Sequence, residues 1–288
     1  MATNYKDITI ILVSYKSNFE IEKILSKINQ NVKILIVENS NNKEVKNYFE
    51  QRYKNISVIL NIKNTGQSGG INTGLKNVST KYCIYMDMDI NFELNIIDRF
   101  YEIAEKINDF ALLVPPHNKS KYPKSFDHYD QNIPLPGLKR MKIVHGYFMF
   151  FKMSAVKDVG YYDENIFFYF DETDYCLRIT DKNHKIYIVE DVIVHHKEGG
   201  SYNDKIHNHD IEYLRQWHYM WGKFYFHKKH YGYFKAIFKI SPKLLSSLVK
   251  FIFYLLIFQK FKSDIYKHRV FGIINSVLLK KSWYRPRI

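Results

Sequence analysis

Four short apolar runs alternate with helical patterns along the first third of the chain, and this alternation narrows the fold more than any other feature. Ile8–Ser14 reads as a strand, and Ile21, Ile24, Leu25 and Ile28 follow at helical spacing. Lys33–Val37 is a second strand, Val45, Tyr48 and Phe49 mark a helix face, and Ile56–Leu60 is a third strand. Asn64–Gly74 is a Gly- and Asn-rich turn opening a short helix, and Lys81–Met86 is the fourth strand. Such alternation predicts βαβ units on a parallel sheet. Right-handed crossovers place the loops after each strand on one edge. That edge is where open α/β sheets hold ligands.

The fourth strand ends in Asp87-Met88-Asp89. Two carboxylates spaced i, i+2 at a strand end are hard oxygen ligands suited to Mg²⁺ or Mn²⁺. Alone, Asp-x-Asp also occurs in plain loops, so its weight comes from its surroundings. The turn before it is not a phosphate-binding Walker loop, because no Gly-Lys-Ser/Thr follows, and it is not a clean Gly-x-Gly-x-x-Gly fingerprint. Its glycines suit close approach of backbone to a ligand, and equally a turn with a helix cap.

Further on, the pattern predicts a helix over Leu94–Lys106 and a strand over Phe110–Val114. Pro115–Gly137 holds five prolines and reads as a lid, a binding loop or a mobile segment. Ile143–Lys152 reads as a strand, Ile166–Ile179 ends in a helical pattern, and Ile186–Val194 is another strand. Asp171, Glu172 and Asp174 crowd a helix start. Acids there cap N–H groups and meet the positive dipole end. One of them behind the aromatic run Phe167–Phe170 also suits a general base. Asp174 is expected to orient the turn or to pair with Arg178, its i+4 neighbour. Trp217, Trp221 and the histidines His207, His209, His218, His227 and His230 have the spacing of packing residues rather than of metal ligands.

Of 288 residues, the net charge of +14 sits almost wholly at one end. Residues 1–201 carry 26 Lys+Arg against 25 Asp+Glu, whereas residues 202–288 carry 17 against 4. A basic tail on a neutral body points to a polyanionic surface. Lys235, Lys239, Lys243 and Lys250 interleave with apolar residues, which suits helices lying on an anionic membrane. A solvated basic face on a helical bundle is the rival reading. No nucleic-acid module is recognisable, so no nucleic-acid partner is expected. Leu244–Phe258 contains Lys250 and falls short of the roughly 20 apolar residues a spanning helix needs. Residues 1–7 are polar, and no signal peptide is expected. Cys83 and Cys176 lie in apolar segments without metal-like spacing and read as buried thiols in a reducing compartment.

Taken in order, several blocks resemble family-2 glycosyltransferases of the GT-A fold, in the rhamnosyl- and galactofuranosyl-transferase-like branch. They are Val13-Ser14-Tyr15, Ile36-Val37-Glu38-Asn39-Ser40, Asn64-Thr65-Gly66 with Gly69–Gly74, and Asp87-Met88-Asp89. They continue through Val159–Glu164, Phe170–Arg178 and Val194-His195-His196 with Ser201. The ordered match runs from about residue 8 to 201 and stops there. The resemblance implies a Rossmann-like, mostly parallel sheet flanked by helices, with a C-terminal helical region beyond it. It implies Asp89 as metal ligand, Asp87 on the ribose or base side, and His196, five residues before a serine, completing the metal site. Glu38 stands where the family usually has an aspartate that contacts the base. Ser14 and Tyr15 end the first strand beside it, and Asn72 is expected to reach the nucleotide sugar. Glu172 is the implied base, with Asp171 as runner-up.

The expectation is therefore a GT-A domain over 1–201 and a basic helical region over 202–288. The activity expected is inverting, metal-dependent glycosyl transfer from a nucleoside-diphosphate sugar to a glycan or lipid-linked glycan hydroxyl. Mn²⁺ or Mg²⁺ is the expected cofactor. The expected location is cytoplasmic, peripheral at the inner face of a bacterial cell membrane through residues 232–288, with a homo-oligomer left open. The alternatives are a nucleotidyltransferase-like enzyme and a non-catalytic nucleotide-sugar-binding scaffold.

Overall fold

The computed structural model describes residues 3–117, 124–128, 132–197 and 208–285. The chain divides into two compact units, Met1–Tyr162 with Glu172–Tyr202, and Asp163–Asp171 with Asn203–Ile288.

In the first unit, β1 (Ile8–Ser14), α1 (Asn18–Leu25), β2 (Lys33–Glu38), α2 (Lys43–Arg52), β3 (Ile56–Leu60), α3 (Gly66–Lys76) and β4 (Tyr82–Met86) form the expected alternation. A short β5 (Ile90–Phe92), α4 (Ile96–Lys106) and β6 (Leu112–Val114) follow. Then come β7 (Leu138–Met141), β8 (Phe148–Lys152), α5 (Met153–Val159), α6 (Asp171–Asp181), β9 (Ile186–Val189) and β10 (Val194–His196). The main sheet has eight strands in the order β3-β2-β1-β4-β8-β6-β9-β7. The β3-β2-β1-β4 half is parallel throughout, whereas β8 and β7 run antiparallel to their neighbours.

The central strands are apolar on both faces because both faces are covered. Ile8, Ile10, Leu12, Ile84 and Met86 meet Ile21 and Ile24 of α1, Phe49 of α2 and Phe100 of α4 in one core layer. Ile11, Leu35, Val37, Cys83 and Tyr85 meet Ile71 and Leu75 of α3, Val156 of α5 and Tyr175 of α6 in the other. Helix α3 lies close on β1, because a Cβ on Gly70 would stand 2.5 Å from Val13 and one on Gly74 2.6 Å from Ile11. These two glycines thus serve helix-on-sheet packing rather than approach to a ligand. Cys83 and Cys176 are free and buried, and burial pushes both thiols up, Cys176 to about 12.

Several elements differ from the sequence reading: Ile186–Val194 is not one strand but β9 and the start of β10, and neither β7 nor α5 was expected. The run Ile143–Lys152 is not one strand: β8 begins only at Phe148, and the chain turns through Gly146 and Tyr147 before it. Strand β5 was not expected, since its three residues acquire strand geometry only by pairing with β10.

The second unit contains α7 (Asn208–Tyr231), α8 (Tyr233–Leu256) and α9 (Lys260–Val277). Met220, Phe224, Ala236, Ile240 and Ile273 form its core. Helices α7 and α9 approach closely at Gly272, where a Cβ would sit 2.4 Å from the Trp217 carbonyl oxygen. Pro242 lies inside α8 and has no N–H for the Phe238 carbonyl; the Ser241 hydroxyl donates to that carbonyl instead, at 3.1 Å. Trp217 and Trp221 stack, and the Trp221 indole N–H donates to the Lys280 carbonyl at 3.0 Å. His218 is buried, donates from Nε2 to the Tyr284 carbonyl at 2.9 Å and accepts at Nδ1 from the Ser282 hydroxyl at 3.2 Å. Its desolvation depresses its pKa to about 3. These side chains pack, as their spacing suggests; His207 lies outside the described residues.

Segment Asp163–Asp171 belongs with these helices. Phe167 lies against His218, Tyr169 against Tyr219 and Phe170 against Phe226. Gly222 leaves room for the segment, since a Cβ there would stand 3.1 Å from Phe170 and 3.2 Å from the Tyr169 carbonyl oxygen. Burial raises the Asp163 carboxyl, but bonds from Lys229 and the Asn165 N–H outweigh it and leave it below the usual carboxylate range.

Candidate active site

Strand β4 carries the chain to the C-terminal edge of the parallel half-sheet, and there Asp87 and Asp89 emerge. The Asp87 N–H donates to the Tyr147 carbonyl at 2.9 Å, extending the β4–β8 ladder by one bond. Asp87 Oδ1 accepts from the Tyr85 hydroxyl at 2.5 Å, and that hydroxyl accepts from Gln67 Nε2 of α3 at 3.3 Å. Asp89 immediately precedes β5. Pairing of β5 with β10 sets His196 opposite Ile90, and the Lys197 N–H donates to the Asp89 carbonyl at 3.0 Å. A residue from far along the sequence is thereby fixed beside the aspartates.

His196 Nε2 lies 3.2 Å from Asp89 Oδ1 and 3.6 Å from Asp87 Oδ2. One donor atom from each of the three residues falls within 4.8 Å of the others. Among the described residues, this is the single such group. Two carboxylate oxygens and one imidazole nitrogen suit a divalent cation of the Mn²⁺ type. The Asp89 side chain is buried, and those of His196 and Asp87 retain partial access. The resemblance put Asp87 on the ribose or base side; the structure draws it into the same donor group as Asp89. His195 is exposed on the other face of β10, as strand alternation requires. Ser201 lies outside the described residues.

The ring of Tyr147 stacks on His196, with centroids 5.0 Å apart and planes 11° apart. Its hydroxyl donates to the Pro116 carbonyl at 2.8 Å, so the ring is fixed at both ends. Neither Tyr147 nor Gly146 was singled out from the sequence. The signal available was the glycine itself, in a stretch that otherwise reads as a strand.

Glu172 is the second residue of α6. A Cβ on Gly146 would stand 3.2 Å from the Glu172 Cβ, so this acid packs against the residue preceding Tyr147. Asp171 is 2 % exposed, whereas Glu172 keeps partial access to solvent. Of the two adjacent acids, Glu172 is the more accessible. Asp174 Oδ2 accepts from Arg178 Nε at 3.0 Å, the expected i+4 pair. Tyr169 and Phe170, immediately before α6, both have positive φ, at 64° and 69°. Consecutive left-handed aromatic residues are costly and persist where the surroundings hold them.

At the end of β1, Ser14 is buried and in register with Glu38 of β2. Glu38 Oε1 accepts from the Ser40 N–H at 2.7 Å and from the Ser40 hydroxyl. Glu38 Oε2 and the hydroxyls of Ser14 and Ser68 are buried without a hydrogen-bond partner. Such orphaned groups cost stability unless something outside the chain satisfies them. Tyr15 is partly exposed beside them. The Asn39 amide donates to the Gly66 carbonyl at 3.1 Å and accepts from Asn61 and Thr65 at 2.7 and 3.0 Å, anchoring the start of α3. The expectation for Asn72 needs correction. Its amide donates to the Tyr162 carbonyl at 2.9 Å and accepts from the Tyr162 N–H at 2.8 Å, and the residue is 1 % exposed. A side chain closed on a backbone in this way ties α3 to the chain leaving α5 rather than reaching a ligand.

The model of the family described as glycosyl transferase family 2 matches residues 9–160. The chain belongs to glycosyltransferase family 2. This glycosyltransferase is 26% identical over 231 residues to the low-salt glycan biosynthesis hexosyltransferase Agl10 of Haloferax volcanii, covering 74% of this chain and 71% of the relative. Among solved structures, the mannosyltransferase PcManGT of Pyrobaculum calidifontis, in complex with GDP-Man and Mn²⁺, superposes with a TM-score of 0.58 at 11% identity. That match covers 96% of this chain and 88% of the other. GalNAc-T7 with UDP, GalNAc and Mn²⁺ gives a TM-score of 0.55 at 13% identity, over 67% of this chain and 44% of that one. These likenesses establish the GT-A fold for the sheet and its flanking helices.

Proposed function

We propose that this family-2 glycosyltransferase moves a sugar from a nucleoside diphosphate to a hydroxyl of a glycan acceptor, with inversion at the anomeric carbon. One observation carries the reading: Glu172 packs on Gly146, and the next residue, Tyr147, stacks on the histidine of the Asp87–Asp89–His196 group. A carboxylate suited to take a proton and a donor set suited to a diphosphate-binding cation thus share one short stretch of backbone.

In this scheme Glu172 accepts the proton of the acceptor hydroxyl as that oxygen attacks the anomeric carbon. The bond from the anomeric carbon to the diphosphate oxygen breaks in the same displacement, and its electron pair leaves with the diphosphate. Asp89, His196 and Asp87 would hold a divalent cation, Mn²⁺ or Mg²⁺, which would supply positive charge opposite the departing diphosphate. Tyr147 keeps the imidazole plane fixed. Ser14, Tyr15 and Glu38 receive the nucleoside, and the buried unpaired oxygen of Glu38 supplies an acceptor for a base or ribose donor. The relative's printed role in glycan biosynthesis supports a glycan acceptor. A lipid-linked glycan at the inner face of the cell membrane is the acceptor form we favour. Rhamnosyl, galactofuranosyl and hexosyl donors all fit the branch that the sequence resembles.

The test is a thermal-shift screen of nucleotide sugars with and without Mn²⁺, followed by transfer assays. One nucleotide series should raise the melting temperature in the presence of metal, and Asp89→Asn should abolish that rise. Strong stabilisation that ignores the metal and survives Asp89→Asn would overturn the metal assignment. Undiminished transfer by Glu172→Gln would overturn the role of the base.

A further inference from the structure

Helix α8 is apolar on two sides, and only one of them is covered. Ala236, Ile240 and Ser247 face the bundle and are buried. Phe234, Phe238, Leu245, Val249, Ile252 and Leu256 recur at spacings of three, four and seven, so they share one stripe along the helix. That stripe is exposed: Phe234 by 86%, Phe238 by 82% and Leu256 by 69%. It runs into the turn before α9, where Leu255, Leu256, Ile257 and Phe258 are exposed in succession, Phe258 by 93%. Phe258 also has a positive φ of 57°. A turn in this conformation ordinarily takes Gly or Asn. An aromatic ring that is strained at the backbone and fully presented to solvent serves neither the turn nor the core.

Charge identifies the occupant. Lys235, Lys239 and Lys243 are exposed along α8 at i, i+4 and i+8, between the stripe and the buried side. From Gly232 to Ser263 there is no acidic residue. Lys223 of α7 loses basicity through burial and through the nearby charges of Lys243, Lys239 and Arg269, so further cations lie close to the row. A second copy of this surface would bring no carboxylate to meet them. A bilayer with anionic head groups offers hydrocarbon for the stripe and phosphate for the lysines at the same depth. Among the described residues no helix is long and apolar enough to cross a membrane, and the lysine row explains why α8 falls short.

We infer that α8 and the 255–258 turn form a docking surface for an anionic membrane, with the stripe lying in the interface and Phe258 inserted among the acyl chains. The identity of the transferred sugar does not enter this inference.

The full chain should co-sediment with phosphatidylcholine vesicles containing phosphatidylglycerol, and far less with pure phosphatidylcholine. High salt should release it. Phe238→Gln with Val249→Gln and Phe258→Asn should weaken vesicle binding by at least about tenfold. The circular dichroism spectrum and transfer to a soluble acceptor should be unchanged. Lys239→Glu with Lys243→Glu should remove the preference for anionic vesicles while keeping weak binding to neutral ones. Vesicle binding that survives the triple substitution would overturn the inference. So would a wild-type chain that ignores vesicles but self-associates in sedimentation equilibrium, with the triple variant monomeric.

Discussion

Gly146 and Glu172 are a pair in which the absence of one atom decides where a carboxylate can stand. Adding a Cβ at 146 would press on Glu172 Cβ at 3.2 Å and on Met149 Cε at the same distance. Gly146→Ala is therefore expected to lower kcat by about tenfold to a hundredfold through misplacement of the base. Nucleotide-sugar affinity, measured by isothermal titration, should stay unchanged. Glu172→Gln removes the base itself, with an expected kcat loss of about 10²- to 10⁴-fold, again with donor affinity intact. At this scale the sequence disclosed the candidate groups and hid their supports. The gathering of Asp87, Asp89 and His196 is legible because their blocks keep a family order; the role of Glu172 is part of the proposal. Tyr147 is illegible because its role is a stacking contact with a residue nearly fifty positions away. Asn72 was misread for a related reason. Sequence identifies an amide in a Gly-rich turn, but only the fold reveals that the Tyr162 backbone occupies it.

Helix α7 holds the segment before α6 in an uncommon backbone conformation. Tyr169 and Phe170 sit in left-handed conformations while their rings rest on Tyr219 and Phe226 of α7. Glu172 begins two residues later. Gly222→Val would force a side chain against Phe170 and the Tyr169 carbonyl. The expected result is a lower stability of the helical unit, read by chemical denaturation. Likewise, Gly272→Ala drives a methyl group into the Trp217 carbonyl at the α7–α9 crossing. It should lower the stability of the helical unit by about 1–3 kcal/mol or more, read by chemical denaturation. Element boundaries in the parallel half-sheet were legible because buried strands and amphipathic helices have different periods. β5 was not, because three residues carry no period and owe their strand form to β10. The turn at Gly146 was not either, because apolar residues flank it closely on both sides, from Ile143 and Val144 to Tyr147–Phe151.

For the molecule as a whole, buried histidines add to the response to pH. His218 has a folded-state pKa of about 3, against an ordinary value of 6.5, because burial disfavours its charged form. Burial depresses His227 and His268 in the same direction. As pH falls below 6.5, the unfolded chain takes up protons that the folded chain refuses. The stability of the helical unit is therefore full above that point and declines towards pH 3. The His218 contribution has a slope approaching 1.4 kcal/mol per pH unit. Thermal melts between pH 7.5 and 5 should show this decline, and His218→Gln should flatten it despite a lower melting temperature at pH 7.5. The lopsided charge of the chain was plain from the sequence, whereas the depressed histidines were not, since desolvation is a property of what surrounds a ring. The ladder that joins β5 to β10 has one last consequence, in time rather than in space. Asp87 and Asp89 leave the ribosome more than a hundred residues before His196 does. A nascent chain can raise its parallel strands early, whereas its Asp87–Asp89–His196 group can close only after residue 196 has been made.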